Sequence, residues 1–255
     1  MRWFSFSSKN RWMENNFMKK TLFVVLMLFL VSSIACMAQN QNNSSYYEAS
    51  AEKFPAQYSR LIRGDTITFG SYEQDNNKSD GKEKIEWIVL EVQNGGVLLL
   101  SKYGLDAKPY NRTDTDVTWE TCSLRKWLNN DFFNSAFSDK EKKMILDTSL
   151  ENPNNREFGT YGGRDTQDHV FLLDIDAYNK YFSNKTAARC SITRYAEANG
   201  GAVFSNGFSP WWLRSPSYYQ GGAACVHGEG YIDYNANVGN SALAVRPAVW
   251  MVYNP

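Results

Sequence analysis

The ten residues Leu243 to Val252 constrain the fold more than any other stretch. Leu243, Val245, Val249 and Met251 alternate with Ala244, Ala248, Trp250 and Val252, so a strand here is apolar on both faces. Such a strand is covered on both sides and reads as central in its sheet. Pro247 lies within it. A proline has no N–H to give to a ladder, so this strand needs a bulge or a missing partner at that point.

The neighbours of that strand are legible upstream. Asp65 to Tyr72 alternates Ile67 and Phe69 with polar residues. Ile85 to Val92 and Val97 to Ser101 flank Asn94-Gly95-Gly96, and Asn-Gly between two apolar runs marks a hairpin. Leu124, Trp127, Leu128 and Phe132 share one helical face. Ser138 to Glu141 is a capping box opening a second helix that buries Met144 and Ile145. Val170 to Leu173 reads as a short strand, and Ile175, Tyr178 and Phe182 as a short helix. A fourth helix carries Ile192, Tyr195 and Ala196 and is closed by Gly200-Gly201. Further short strands are expected at Trp211 to Ser215, Ala223 to His227 and Gly230 to Tyr234. Strands first, helices in the middle and strands last predict an α+β domain of antiparallel sheets. Its N- and C-terminal strands meet in one sheet, with helices inserted between them.

The N-terminus predicts export. Met18-Lys19-Lys20 is followed by an apolar run from Leu22 to Val31 and then by Ser32, Ser33 and Ala35, the pattern of a signal peptide. The ten-residue run would span roughly 15 Å as a helix, too short for a permanent anchor. Two processing sites compete: cleavage after Ala38, or lipid attachment at Cys36 through the imperfect lipobox Ser33-Ile34-Ala35-Cys36. Residues 1–38 thus read as upstream extension and leader, 39–57 as a polar tether, and 58–255 as one folded domain. The whole chain balances 27 basic against 27 acidic side chains. The leader carries five of the basic and one of the acidic residues, which leaves the remainder at a net charge of −4. Neither nucleic acid nor an anionic membrane is the expected partner of such a surface.

Residue counts exclude more. There are only two histidines, His169 and His227, so no three-histidine metal centre can form. Cys122, Cys190 and Cys225 remain beyond the leader, and their spacing matches no disulfide framework; three buried thiols is the simpler reading. Asp165, Asp168, His169, Asp174 and Asp176 offer hard-cation ligands of the calcium type. Their spacing matches no calcium loop, and Asp174 or Asp176 is accounted for as a helix N-cap. No metal and no cofactor is assigned.

Several blocks in order carry a resemblance: Gly64 to Tyr72, Ile85 to Leu90, Leu124 to Asn129, Val170 to Leu173, Trp211-Trp212-Leu213-Arg214-Ser215-Pro216 and Val245-Arg246-Pro247-Ala248-Val249-Trp250. Together they resemble the bacterial family called domain of unknown function 6273, over about residues 60 to 252. The resemblance implies a C-type-lectin-like fold of the formylglycine-generating-enzyme branch, in secreted or surface proteins of no established activity. Some relatives resemble the variable proteins of diversity-generating retroelements, whose binding face lies between the two tryptophan-rich blocks. The chain departs from the better-known branches. Calcium-dependent lectins carry Glu-Pro-Asn or Gln-Pro-Asp with Trp-Asn-Asp, whereas here stand Glu151-Asn152-Pro153 and Trp127-Leu128-Asn129-Asn130. Formylglycine-generating enzymes carry a close cysteine pair, but Cys190 and Cys225 are 35 positions apart.

Trp211, Trp212, Arg214, Arg246 and Trp250 read better as core with buried arginines than as a ligand cradle. The segment between them is different. Ser217, Tyr218, Tyr219, Gln220, His227, Glu229, Tyr231, Asp233, Tyr234, Asn235 and Asn237 have the composition of recognition loops, with large tyrosine contact area and adaptable polar groups. These eleven are the expected ligand-binding residues, for a protein or glycan surface. Two rival readings stand beside this one. One is an extracytoplasmic enzyme using Cys225 and His227, which face the same side of a strand. The other is a structural component of the cell envelope with no specific ligand.

Overall fold

The computed structural model describes residues 60–93 and 95–253. The leader, Cys36, Ala38, the tether and the start of the domain near Tyr58 lie outside the described residues. Two sheets and a small ribbon are joined by short helices, a mixed α+β architecture. No helix among the described residues is long and apolar enough to cross a membrane.

Three strands come first: β1 (Thr66–Tyr72), β2 (Glu83–Gln93) and β3 (Gly96–Ser101). Gln93 pairs with Gly96, which leaves a two-residue connection between β2 and β3, and Gly95 there has φ +73°. That is the tight hairpin the Asn-Gly pair predicts. A bulge shifts the β1–β2 register between Thr68 and Ser71. Gly70 sits in it at φ +70°, and a Cβ there would lie 2.6 Å from the Phe137 ring. After the two-residue strand β4 (Asp106–Ala107) comes one helical stretch. It consists of α1 (Ser123–Trp127), a π-helical turn (Leu128–Phe132) and α2 (Phe133–Ala136). Leu124, Leu128, Phe132 and Ala136 are its buried stripe.

The Ser138–Glu141 capping box is present and opens α3 (Asp139–Lys142), but that helix is a single turn. Met144 and Ile145 are buried beyond it rather than on it. Two further elements, β5 (Thr148–Leu150) and β6 (Thr166–Asp168), pair as a ribbon. The expected strand over Val170 to Leu173 is a buried extended segment with one bridge, Phe171 to Ala248. Short helices follow: α4 (Ile175–Tyr181), α5 (Lys185–Ala188) and α6 (Arg194–Ala198). Each is capped by the side chain of the residue before it: Asp174, Asn184 and Thr193.

The chain ends in β7 (Trp211–Pro216), β8 (Gly222–Val226), β9 (Ile232–Asn237), β10 (Ala244–Val245) and β11 (Ala248–Val252). The stretch expected as one central strand is therefore two, divided at Arg246-Pro247. The first sheet has the order β1-β2-β3-β11 and is antiparallel throughout. The second has the order β4-β10-β7-β8-β9, with one parallel pairing, β10 to β7. Strands from both ends of the domain thus share the first sheet, although β1 and β11 do not pair directly.

Position explains the doubly apolar pattern. β10 is an inner strand. β11 ends its sheet, but its outer edge is covered: Phe171 and Ala248 exchange both backbone bonds at 3.0 and 2.7 Å, and Val252 N–H donates to the Met144 carbonyl at 2.8 Å. The crossing between sheets is clamped by Ser101. Its N–H donates to the Pro247 carbonyl, and its own carbonyl accepts from Arg246 Nε, both at 2.9 Å. The Arg246 guanidinium is buried 4.9 Å from the Trp211 ring centroid, with Nη1 unpartnered.

The β9 strand begins two residues later than its sequence predicts, because His227 to Tyr231 close a turn. His227 N–H bonds the Tyr231 carbonyl at 2.8 Å, and Gly230 N–H bonds the His227 carbonyl at 2.7 Å. Gly230 has φ +92°, and a Cβ there would meet the Lys185 carbonyl oxygen at 1.8 Å. Its own carbonyl accepts from the Tyr178 hydroxyl. Gly230→Ala is expected to cost on the order of 2–4 kcal/mol. Urea denaturation measures it; a cost near zero would mean this turn is not held against α5.

Candidate functional site

The eleven predicted contact residues do not form one face. Ser217, Tyr218, Tyr219 and Gln220 make the β7–β8 connection, beside Asn235 and Asn237 of β9. His227, Glu229 and Tyr231 make the turn at the opposite end of β8. The five residues of β8 keep the two groups about 15 Å apart.

Much of the first group is structural. Ser217 is buried; its hydroxyl donates to the Tyr219 carbonyl at 3.0 Å and accepts the Tyr219 N–H at 3.2 Å. Gln220 donates to the carbonyls of Val117 and Tyr161 at 3.1 and 3.0 Å, tying three loops together. Asn237 donates to Asp114 at 2.7 Å. Tyr219 covers Gly222, where a Cβ would lie 2.7 Å from its ring. Tyr218 differs: it is 51% exposed, with only a 3.4 Å bond from its hydroxyl to Asn235.

In the second group, His227 stacks on Tyr231 with centroids 4.6 Å apart, and its Nδ1 accepts the Glu229 N–H at 3.2 Å. Glu229 is exposed and Asp233 accepts the Asn235 N–H at 2.9 Å, so both serve the hairpin locally. No hydrogen bond joins His227 to Cys225. The Cys225 thiol is buried, and burial first, with Asp233 second, pushes its pKa well up. Burial likewise pushes Cys122 up to about 12 and raises Cys190. All three are free, buried thiols, and burial disfavours the thiolate that a nucleophile requires.

The acidic residues considered for calcium are committed elsewhere. Asp168 is buried and receives four donors: Arg125 Nε at 2.6 Å, Asn129 at 3.3 Å, Trp119 Nε1 at 2.9 Å and Thr166 at 2.8 Å. Asp165 accepts the Asn152 N–H at 3.1 Å. His169 packs on the Phe133 ring at 4.7 Å.

What converges instead is a cleft of about 250 Å³, lined by residues 153–157, by Asp174, Ile175, Asp176 and Asn179 around α4, by Ser215 and by Tyr234. Of the predicted residues only Tyr234 lines it. One wall comes from the 15-residue connection between β5 and β6, residues 151–165, and the other from α4 and the residue before it, with Ser215 of β7.

Buried Arg214 holds this arrangement. Nη2 donates to the Glu151 carbonyl at 3.0 Å and to Asp174 Oδ2 at 2.5 Å, Nη1 to the Leu172 carbonyl at 3.3 Å, and Nε to Asn152 Oδ1 at 3.3 Å. The other Asp174 oxygen caps α4 through the Ala177 N–H at 2.6 Å. The loop tip is organised by Asn155, which donates to the Pro216 carbonyl at 2.9 Å and accepts from the N–H groups of Glu157 and Phe158. Gly162 closes the loop base, where a Cβ would lie 2.3 Å from the carbonyl oxygens of Asn152 and Pro153.

The tip presents Phe158, 44% exposed, edge-on to Tyr234 at 5.2 Å and to Tyr218 at 6.2 Å. Three rings from three chain segments therefore form a rim beside the cleft. Phe158 had a sequence signal of a different kind: a long loop without secondary structure, rich in Asn and Gly, inside a compact domain.

A mixed α+β domain of curled antiparallel sheets, with its clefts between loops, is the class these features define. The chain belongs to the family described as Domain of unknown function (DUF6273), whose model matches residues 94–252. Strands β1 and β2 both precede the matched residues, yet they complete the sheet that β3 and β11 share. Neither a curated protein nor a solved structure matches the chain.

Two outcomes follow. The three thiols are expected to resist a maleimide probe in the folded protein and to label together only on unfolding; fast labelling of Cys225 at neutral pH would restore the nucleophile reading. Asp168→Ala is expected to cost about 3 kcal/mol, because it strands Arg125, Trp119 and Thr166 donors. Thermal denaturation with and without millimolar calcium checks this site, and a calcium-dependent rise in the wild-type midpoint that Asp168→Ala abolishes would contradict the assignment.

Proposed function

We propose that this is an exported, C-type-lectin-like protein that binds a protein or glycan surface. Its contact face is the cleft and the rim of Phe158, Tyr218 and Tyr234. One observation carries the reading. Two large rings, Phe158 and Tyr218, stand exposed at one spot beside the half-buried ring of Tyr234, although a core that encloses Trp87, Trp119, Trp211 and Trp212 has ample capacity for aromatic side chains. Clustered exposed aromatics next to a concave polar surface are characteristic of binding sites rather than of inert surface.

The leader-like sequence before residue 39 supports export. The shared sheet of β1–β3 with β11, with helices and a loop-rich second sheet between them, supports the lectin-like arrangement. The buried, high-pKa Cys225 gives no support to an enzyme built on Cys225 and His227.

The test is binding of the labelled protein to bacterial envelope fragments. Combining Phe158→Ala with Tyr218→Ala is expected to weaken binding at least about tenfold. The same pair should change stability by no more than about 1 kcal/mol, since both rings are half exposed. Undiminished binding by this double variant would place the contact face elsewhere.

A further inference from the structure

We infer that the cleft beside Tyr234 receives a sugar ring of a neutral saccharide, an inference that rests on the ligand-binding reading above. The argument is an inventory of polar groups. Most of those lining the cleft are already engaged. Asp174 uses one oxygen on the Ala177 N–H and the other on Arg214. Asn155 is engaged at both ends of its amide. Arg156 pairs with Asp176 at 2.7 Å.

Beside the partly engaged Arg156–Asp176 pair and the Ser215 hydroxyl, four groups have no partner among the described residues: the Asn179 amide, the Asn154 amide nitrogen, the Glu157 carboxylate and the Tyr234 hydroxyl. Asn154 already spends its oxygen on the Gly162 N–H. Burial, and then the nearby Glu157 carboxylate, raise the Tyr234 pKa, so its hydroxyl stays protonated and able to donate. The set offers donors and acceptors within a single cleft.

Ligand chemistry follows by elimination. An anion would face Glu157, the one lining charge with no counter-ion. A cation would satisfy Glu157 and the ring faces, but it would leave the exposed amide donors of Asn154 and Asn179 to water and use none of them. Adjacent hydroxyls, each both donor and acceptor, match all four groups. The rim of Phe158 and Tyr234 adds flat apolar surface for the C–H face that a sugar ring also presents. A cleft of about 250 Å³ suits one ring rather than an extended chain.

The experiment is calorimetric titration of the full chain with a panel of neutral mono- and oligosaccharides, with tetramethylammonium and inorganic phosphate as charged probes. At least one saccharide is expected to bind and the charged probes are not. Asn179→Ala and Glu157→Gln should each weaken saccharide binding roughly tenfold, with the thermal midpoint unchanged. Saccharide binding that neither variant alters would overturn the placement in this cleft. Tetramethylammonium binding lost in Glu157→Gln, with no saccharide bound, would overturn the ligand class. If no probe binds, the saccharide inference fails; the broader reading then stands or falls separately, according to whether Phe158→Ala with Tyr218→Ala abolishes capture on envelope fragments.

Discussion

The Arg214 guanidinium is the junction on which the cleft and the loops around it depend. It comes from an inner strand of the second sheet, yet its donors are spent on the start of the 151–165 loop, on the segment entering α4, and on the carboxylate that caps that helix. A lysine would supply one point charge, whereas the planar fork reaches several acceptors at once in fixed directions. Both walls of the cleft are therefore set by one side chain, and the ion pair with Asp174 keeps that charge compensated in its buried setting.

A second buried arginine works on different terms. Arg246 has no carboxylate partner; it bonds the Ser101 carbonyl and lies over Trp211. Burial lowers its pKa, with Cys190 acting in the opposite sense. Arg214 organises polar loops and Arg246 seals the passage between sheets. The pair of arginine-bearing blocks that stand out in the sequence thus serve architecture, and the cleft is walled by residues around Arg214.

How much was legible depended on how local the cause was. The β2–β3 hairpin, the capping box at Ser138 and the N-cap at Asp174 follow from contacts a few residues apart, and all three are present. The failures are non-local. Val170 to Leu173 has a strand's composition, but only Phe171 finds a ladder partner, in β11. Met144 and Ile145 have a helical spacing, but the edge of β11 claims their backbone. The tyrosines drew attention by composition, and composition cannot tell Tyr219, packed over glycines, from Tyr218, half of whose surface is exposed. Phe158 escaped because one phenylalanine in a polar loop shows no periodicity; only the folded loop, held by Asn155, turns it outward.

The division of residues 244–252 between two sheets also has a consequence for how the molecule is completed. β10 is an inner strand, lying between β4 and β7, and β11 supplies the partner on the open side of β3. Neither sheet can reach its final width until this segment is in place, and the same few residues finish both. Until this segment pairs, both sheets stand unclosed, and two of its three pairings, β10 with β4 and β11 with β3, span more than a hundred residues. Such long-range closure is slow relative to local structure, so neither sheet locks before these last strands arrive, and one short segment secures both.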